Sequence, residues 1–239
     1  MLPAYNTVIF NGVDLNTFGF FSTGSGTYAA PERALDVVEV PGRSGDLVFD
    51  NGRFKNITVT YPGFIGENLE TNFRNLKGFL LSGYGQYFRL EDTYHPDEFR
   101  YAYFKGPITP TVDQFIAASF NLDFVCKPMR YLKSGEIPVE FSADGNLENP
   151  SYMASKPIIR VYGSGQVDVG DWQINVTAHD QEYVDIDCEL MDCHCGLVNL
   201  NSKVTFNKPG FPEIATGVHG VQLGTGVTNV TITPRWWVL

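Results

Sequence analysis

Apolar and polar residues alternate with a two-residue period over much of this chain, the pattern of strands with one buried face. The clearest run sets Ala118, Phe120, Leu122, Phe124 and Cys126 against Ser119, Asn121, Asp123 and Val125. A second sets Ile57, Val59 and Tyr61 against Asn56, Thr58 and Thr60, and a third sets Phe99, Tyr101 and Tyr103 against Arg100 and Ala102. Residues 5–15 read as a first hairpin, with Val8 and Phe10 leading into an Asn11-Gly12 turn and Val13 and Leu15 leading out; Asn-Gly accepts the positive φ such turns require. A short strand over Tyr87–Leu90 and a loop over the Gly-, Ser- and Ala-rich residues 19–30 complete the first half.

One segment changes period. Leu69, Phe73, Leu76 and Leu80 fall at i, i+4, i+7 and i+11, one face of a helix over about 68–83. Asn68 is placed to cap its start, Glu70 suits its positive end, and Gly83 stands where a left-handed stop belongs.

From residue 137 the pattern is short strands between turn signals: 137–141, 157–163, 166–169, 172–177, 183–190, 197–200, 203–206, 218–223 and 227–233. That spacing predicts a β-sandwich. We place the division at 132/133, where Lys127-Pro128 ends the long strand: residues 1–132 form an N-terminal β domain with one helix, and 133–239 a C-terminal sandwich. The fold class is mainly β with one helix, the first domain being a β-sandwich or split barrel.

The stretch from Val37 to Tyr61 breaks the strand pattern at chosen points. Val37, Val38 and Val40 run into Pro41-Gly42-Arg43-Ser44-Gly45-Asp46-Leu47, where Pro41 removes a backbone donor and two glycines open unusual backbone angles. Asp50-Asn51-Gly52-Arg53 reads as a tight hairpin turn, with residues 57–61 as the returning strand. The whole reads as a long two-stranded arm without a home in either core. Val38, Val40, Pro41, Gly42, Arg43, Leu47, Phe49 and Phe54 are the candidates for contact with another subunit.

Composition is that of a globular β protein: of 239 residues, 43% are hydrophobic, 18% charged and 14% aromatic, with 24 Gly and 14 Pro. The net charge of −10 opposes non-specific nucleic-acid binding, which needs Lys and Arg against phosphates. The start, MLPAYNTVIF, lacks a basic and apolar leader, and no apolar run reaches the length of a membrane helix. The sequence therefore predicts a chain made in a cytoplasm, without membrane insertion.

Three constellations are candidates for chemistry. Cys188, Cys193, His194 and Cys195 lack the second half of a zinc pattern. Cys188 instead shares an inward strand face with Val184, Ile186 and Leu190. Asp185, Asp187 and Glu189 line the opposite face of that strand, spaced as a calcium site or a glycosidase pair would be, and read as a solvated face that discourages edge pairing. Trp172, Trp236 and Trp237 suit core and interface packing, or a sugar platform. The four histidines are scattered and no nucleophile elbow, HExxH or P-loop occurs, so no catalytic residue, cofactor or metal is assigned.

The early Phe10-Asn11-Gly12, the PGRSGDL element at 41–47, the following Asn-Gly and the Phe124-x-x-Lys127-Pro128 junction are carried in order along the chain. Toward its end come Asn199-x-Asn201, Gly210-Phe211-Pro212, Leu223-Gly224-Thr225-Gly226 and Pro234-Arg235-Trp236-Trp237. Together these resemble the distal tail protein (Dit) of siphophages, the hub between tail tube and tail tip in long non-contractile tails. The resemblance implies a galectin-like C-terminal sandwich and a structural virion protein, not an enzyme. It implies assembly in the host cytoplasm, location at the tail tip and a hexameric ring. The implied partners are further copies of the chain, the tail tube protein, a tail-associated (tail fibre or lysin-like) protein and a receptor-binding protein. DNA would pass through the channel without specific binding. The alternative is a carbohydrate-binding β-sandwich module contacting host-wall glycans.

Overall fold

The computed structural model describes residues 6–24, 28–83, 85–113 and 116–239. Tyr5 of the first expected hairpin and residues 25–27 of the expected 19–30 loop lie outside them. The chain divides into two compact units, Met1–Arg130 with Leu239, and Tyr131–Val238.

The first unit is built on one antiparallel sheet. β1 (Val8–Phe10) and β2 (Val13–Asp14) form the expected hairpin, with Asn11 and Gly12 at φ 49° and 75°. β3 is Phe20–Ser22, β4 Arg33–Val38, β5 Leu47–Phe54 and β6 Ile57–Ile65. After helix α1 (Leu69–Leu81) come β7 (Phe88–Asp92), β8 (Glu98–Phe104), β9 (Thr111–Asp113) and β10 (Ala117–Cys126). The sheet order is β2-β1-β7-β8-β10-β6-β3, with β9 on β10, while β4 and β5 pair apart from it.

β10 and β6 run side by side over nine residue pairs, from Ala118 opposite Ile65 to Cys126 opposite Ile57. Their alternation puts Val59, Tyr61, Leu122 and Phe124 on the core face, as the sequence predicts. Helix α1 covers that face with Leu76 and Leu80, and Phe79 and Phe73 meet the rings of Phe10 and Phe120 at 6.1 and 5.3 Å. Four local expectations change. Phe20–Ser22 is a strand rather than loop, pairing with β6 where Gly63 lets the Phe20 ring lie against the backbone. Asn68 sits at φ 49° and its side chain caps nothing. Gly83 is no left-handed stop: the helix ends on Ser82 (φ −74°), and a Cβ on Gly83 would stand 2.7 Å from the Phe88 ring. On β8 the inward set is Arg100, Ala102 and Phe104, whereas Tyr101 and Tyr103 are half-buried on the outer face. Arg100 is accommodated there by donating to the Pro128 carbonyl at 3.4 Å.

The chain enters the second unit along β11 (Arg130–Leu132), which pairs with the terminal β23 (Trp237–Val238). Between them lie β12 (Val139–Phe141), β13 (Gly145–Asn149), β14 (Ile158–Gly163), β15 (Gly165–Val169), β16 (Trp172–Val176) and β17 (Tyr183–Asp187). β18 (Asp192–Cys195), β19 (Val198–Asn199), β20 (Val204–Phe206), β21 (Gly217–Leu223) and β22 (Val227–Thr233) follow. They form two antiparallel sheets, β12-β22-β14-β17-β18-β19 and β13-β21-β15-β16-β20. Ile159, Val161, Ile186 and Ile232 of the first sheet and Val167, Ile174 and Val221 of the second meet in one fully buried core, which is a sandwich. β13 and β18 are strands the alternation pattern did not single out. Asn149, at the end of β13, is a polar residue turned inward, and its amide donates to the Met153 and Ile214 carbonyls. The 183–190 strand stops at Asp187, so Leu190 leaves the inward face and is 71% exposed in the turn that follows.

Candidate assembly site

β4 and β5 form a separate two-stranded ribbon, with Val38 opposite Leu47, Val37 opposite Val48, Asp36 opposite Phe49 and Leu35 opposite Asp50. The turn of this arm is the 39–46 connector, not Asn51-Gly52. Gly42 and Gly45 take φ 79° and 85°, and the Arg43 N–H donates to the Val40 carbonyl at 3.1 Å. Asn51 and Gly52 lie inside β5, where the register shifts between Arg33 and Leu35. This is a bulge with Gly52 at φ 67°, the other use a strand makes of a left-handed glycine. Side chains fix it: the Asp50 carboxylate accepts from the Gly52 N–H at 2.9 Å and from Arg33 Nε at 2.6 Å, and Asn51 Nδ2 donates to Asp36 at 3.1 Å. The Gly52 N–H, with Arg33 beside it, holds the Asp50 carboxyl below its ordinary range. Residues 57–61 belong to β6 in the core sheet, so the arm is residues 33–54 and shorter than the sequence suggests.

Residues directly opposite in a ladder share a face. One face of the arm therefore carries Leu35, Val37 and Val48, and the other Val38, Leu47 and Phe49. Val37, Val48 and Phe49 are 57%, 58% and 56% exposed. Of the eight sequence candidates, Val38, Phe49, Pro41, Gly42 and Arg43 are exposed, whereas Val40, Leu47 and Phe54 are half-buried. Phe54 lies at the base of the arm, 5.2 Å beneath the Arg33 guanidinium. Leu35, Val37 and Val48, which are not among the eight, are also exposed apolar residues of the ribbon. The runs Val37-Val38 and Leu47-Val48-Phe49 were the available signal, since consecutive apolar residues load both faces of a ribbon.

The other constellations resolve into structure. Asp185 and Asp187 do not form a solvated face: they are 7% and 5% exposed. Arg160 holds Asp185 through two bonds of 2.7 and 2.8 Å and stacks 4.0 Å over the Tyr183 ring, and Arg235 holds Asp187 through two bonds of 2.7 and 2.8 Å. Both pairs are the bidentate form that satisfies a buried carboxylate. Cys188 and Cys193 pack in the sandwich core, where burial pushes the Cys193 thiol up to about 12 and the Cys188 thiol up as well. Among the described residues no three His, Cys, Asp or Glu side chains converge as metal ligands would. Trp236 is core, the Trp237 indole donates to the Ala154 carbonyl at 2.9 Å, and Trp172 borders an open cleft of about 230 Å³ with Lys208 4.2 Å over its ring.

Two antiparallel β units, one helix against the first and a ribbon standing apart from its sheet define the class: a mainly β, two-unit protein with a projecting arm. The solved structure of the SPP1 Dit (gp 19.1) protein, described as a paradigm of hub adsorption apparatus in Gram-positive infecting phages, shares this fold. The two are 12% identical, with a TM-score of 0.70 over 99% of this chain and 100% of that one. A weaker likeness, TM-score 0.48 at 12% identity over 95% of this chain and 97% of the other, is to the phage p2 baseplate in its activated conformation with Sr. No family model and no curated protein matches the sequence. The mainly β fold with one helix that the sequence predicts is the fold observed.

Proposed function

We propose that this chain is a structural protein of a long non-contractile phage tail, forming a hexameric ring that joins the tail tube to the tail-tip apparatus. The carrying observation is the β4–β5 arm. An isolated two-stranded ribbon is marginal in water, and its edges invite a further strand. Here it also exposes Val37, Val48 and Phe49 on its two faces. A neighbouring copy supplies what such a ribbon lacks, and head-to-tail contacts that close generate a ring. The fold shared along the whole chain with a phage hub adsorption protein supports the same reading. In this reading the first unit forms the ring and the C-terminal sandwich is galectin-like. The tail tube protein, a tail-associated protein and a receptor-binding protein are the partners, and the net charge of −10 lets DNA pass the channel without sticking. The site is the tail tip of the virion, and the role is not enzymatic.

Electron microscopy and mass photometry of the purified protein test this. Six-fold rings with a central channel are expected. A strict monomer at micromolar concentration, with and without tail partners, overturns it.

A second reading rests on the Trp172 cleft. An aromatic ring beside Asp171, Glu213 and His219 offers a stacking surface and hydroxyl partners to a host-wall glycan. Glycan-array binding lost in Trp172→Ala supports it; no binding to any glycan removes it.

A further inference from the structure

Helix α1 and strand β9 enclose an open groove of about 270 Å³ on the first unit. Leu69, Phe73, Pro110 and Val112 give it an apolar lining, and Arg74 and Lys77 stand along it. Two features mark it as more than a surface dent. The Phe73 and Phe120 rings meet edge to face at 5.3 Å, so the apolar lining of the groove is packed on the hydrophobic core. And β9 pairs with β10 alone among the described strands, through Thr111, Val112 and Asp113, so no described strand lies along its other edge. Val112 is 48% exposed. A free strand edge beside an apolar trough is the arrangement that accepts an added strand: main-chain bonds supply affinity and alternate side chains fill the trough.

We propose that this α1–β9 groove receives the β4–β5 arm of a second copy of the chain. The arm has the complementary properties: free strand edges, and the exposed side chains Val37 and Val48 together on one face. Charge agrees. The 39–46 connector at the tip of the arm carries Glu39 and Asp46 against Arg43, which is 2 − 1 = 1 net negative charge. The groove carries Arg74 and Lys77 against Glu70, which is 2 − 1 = 1 net positive charge. Arg74 is held by Glu70 at 2.7 Å, and Lys77 lies 4.7 Å over the Phe73 ring, positioned for an incoming carboxylate. Because arm and groove are different surfaces, each copy gives one and takes one. The contact is heterologous, the kind that closes into a ring. The proposal rests on the ring reading above and adds the place where neighbouring copies meet.

Cysteine cross-linking separates the two. In a Cys195→Ser background, Val48→Cys is combined with Val112→Cys; both positions are exposed, so the fold tolerates them. Mild oxidation is followed on non-reducing gels, and assembly by mass photometry. A ladder of multimers in the double variant, with each single variant giving no species above a dimer, is the expected result. Rings without the ladder refute the groove while leaving the ring reading intact. A cross-link confined within one chain also refutes it, since the arm would then fill its own groove. A protein that never assembles removes both. The neighbouring pair Val37→Cys with Arg74→Cys repeats the test should the first pair perturb folding.

Discussion

Arg235 donates from both terminal nitrogens to the Asp187 carboxylate at 2.7 and 2.8 Å, joining the last strand region of the sandwich to the end of β17. The same carboxylate accepts the Glu189 and Leu190 N–H groups at 3.0 Å, so one buried side chain both pairs the arginine and ties down a turn. Burial alone would raise its pKa, but Arg235 and these backbone donors outweigh it and hold the carboxyl below its ordinary range. Removing one member of a buried pair leaves the other uncompensated, so Asp187→Ala should destabilise the second unit by about 3 kcal/mol, whereas replacing both by Leu and Met should cost far less. Urea unfolding of the wild type and the two variants checks this. The folded-state pKa is the depressed one, so the pair's contribution is full above the unfolded carboxylate pKa of about 3.9 and is lost as pH falls through the folded value. Wild type should therefore lose more stability than the double variant on acidification below pH ~4.

Gly63→Ala should be a folding defect although Gly63 has an ordinary backbone. A Cβ there would lie 2.5 Å from both the Phe20 ring and the Phe21 carbonyl oxygen, and neither can move without opening the β3–β6 pairing. The expected cost is about 2 kcal/mol, in the range of overpacked cores. Gly12→Ala is the control: open space surrounds it, but φ is 75°, and the cost should be about 1 kcal/mol. Thermal unfolding of the two variants should rank them in that order.

Cysteine reactivity should follow burial. Desolvation pushes the Cys126 and Cys193 thiols each up to about 12, and Cys195 alone of the four is half-buried. With the thiolate as the reactive form, iodoacetamide at pH ~8 should label Cys195 first and reach the others on unfolding. Mass spectrometry of digested samples reads this out. Labelling of native Cys126 at the rate of the unfolded chain would contradict the packing described.

Val37→Asp with Val48→Asp should separate folding from assembly. Both side chains are more than half exposed and lie opposite each other on one face of the arm. Changes at such positions move monomer stability by about 0.5 kcal/mol or less. The circular dichroism melt should therefore match wild type, while the assembled fraction in mass photometry falls. Assembly undiminished by two new carboxylates would exclude this face from any interface.

Much of the architecture was legible because strand alternation and helical period report which side of an element faces a core. Ala118 to Cys126, the α1 face of Leu76 and Leu80, and the Asn11-Gly12 hairpin all sit as their patterns imply. β8 misled because its inward face holds Arg100, whose burial depends on the Pro128 carbonyl 28 residues away. β13 was hidden for a related reason, its inward Asn149 being satisfied by carbonyls outside the strand. In the candidate site, Pro41-Gly42 and Gly45 identified a break in an arm, but Asn51-Gly52 looked identical to the hairpin turn at Asn11-Gly12.

What the sequence determined by itself is the local register of apolar and polar residues: a mainly β chain, one helix, a sandwich in the second half and an arm within residues 37–61. The tertiary structure decided which partner each surface meets. It made Asn51-Gly52 a bulge by placing Arg33 and Asp36 across the ribbon, and it sent residues 57–61 into the sheet against β10. It turned the acidic row at Asp185 and Asp187 inward by bringing Arg160 and Arg235 to it. Backbone preference depends on neighbours in the chain and is written locally. The environment of a charge, a turn-former or a strand edge is set by residues distant in sequence, and only folding brings them together.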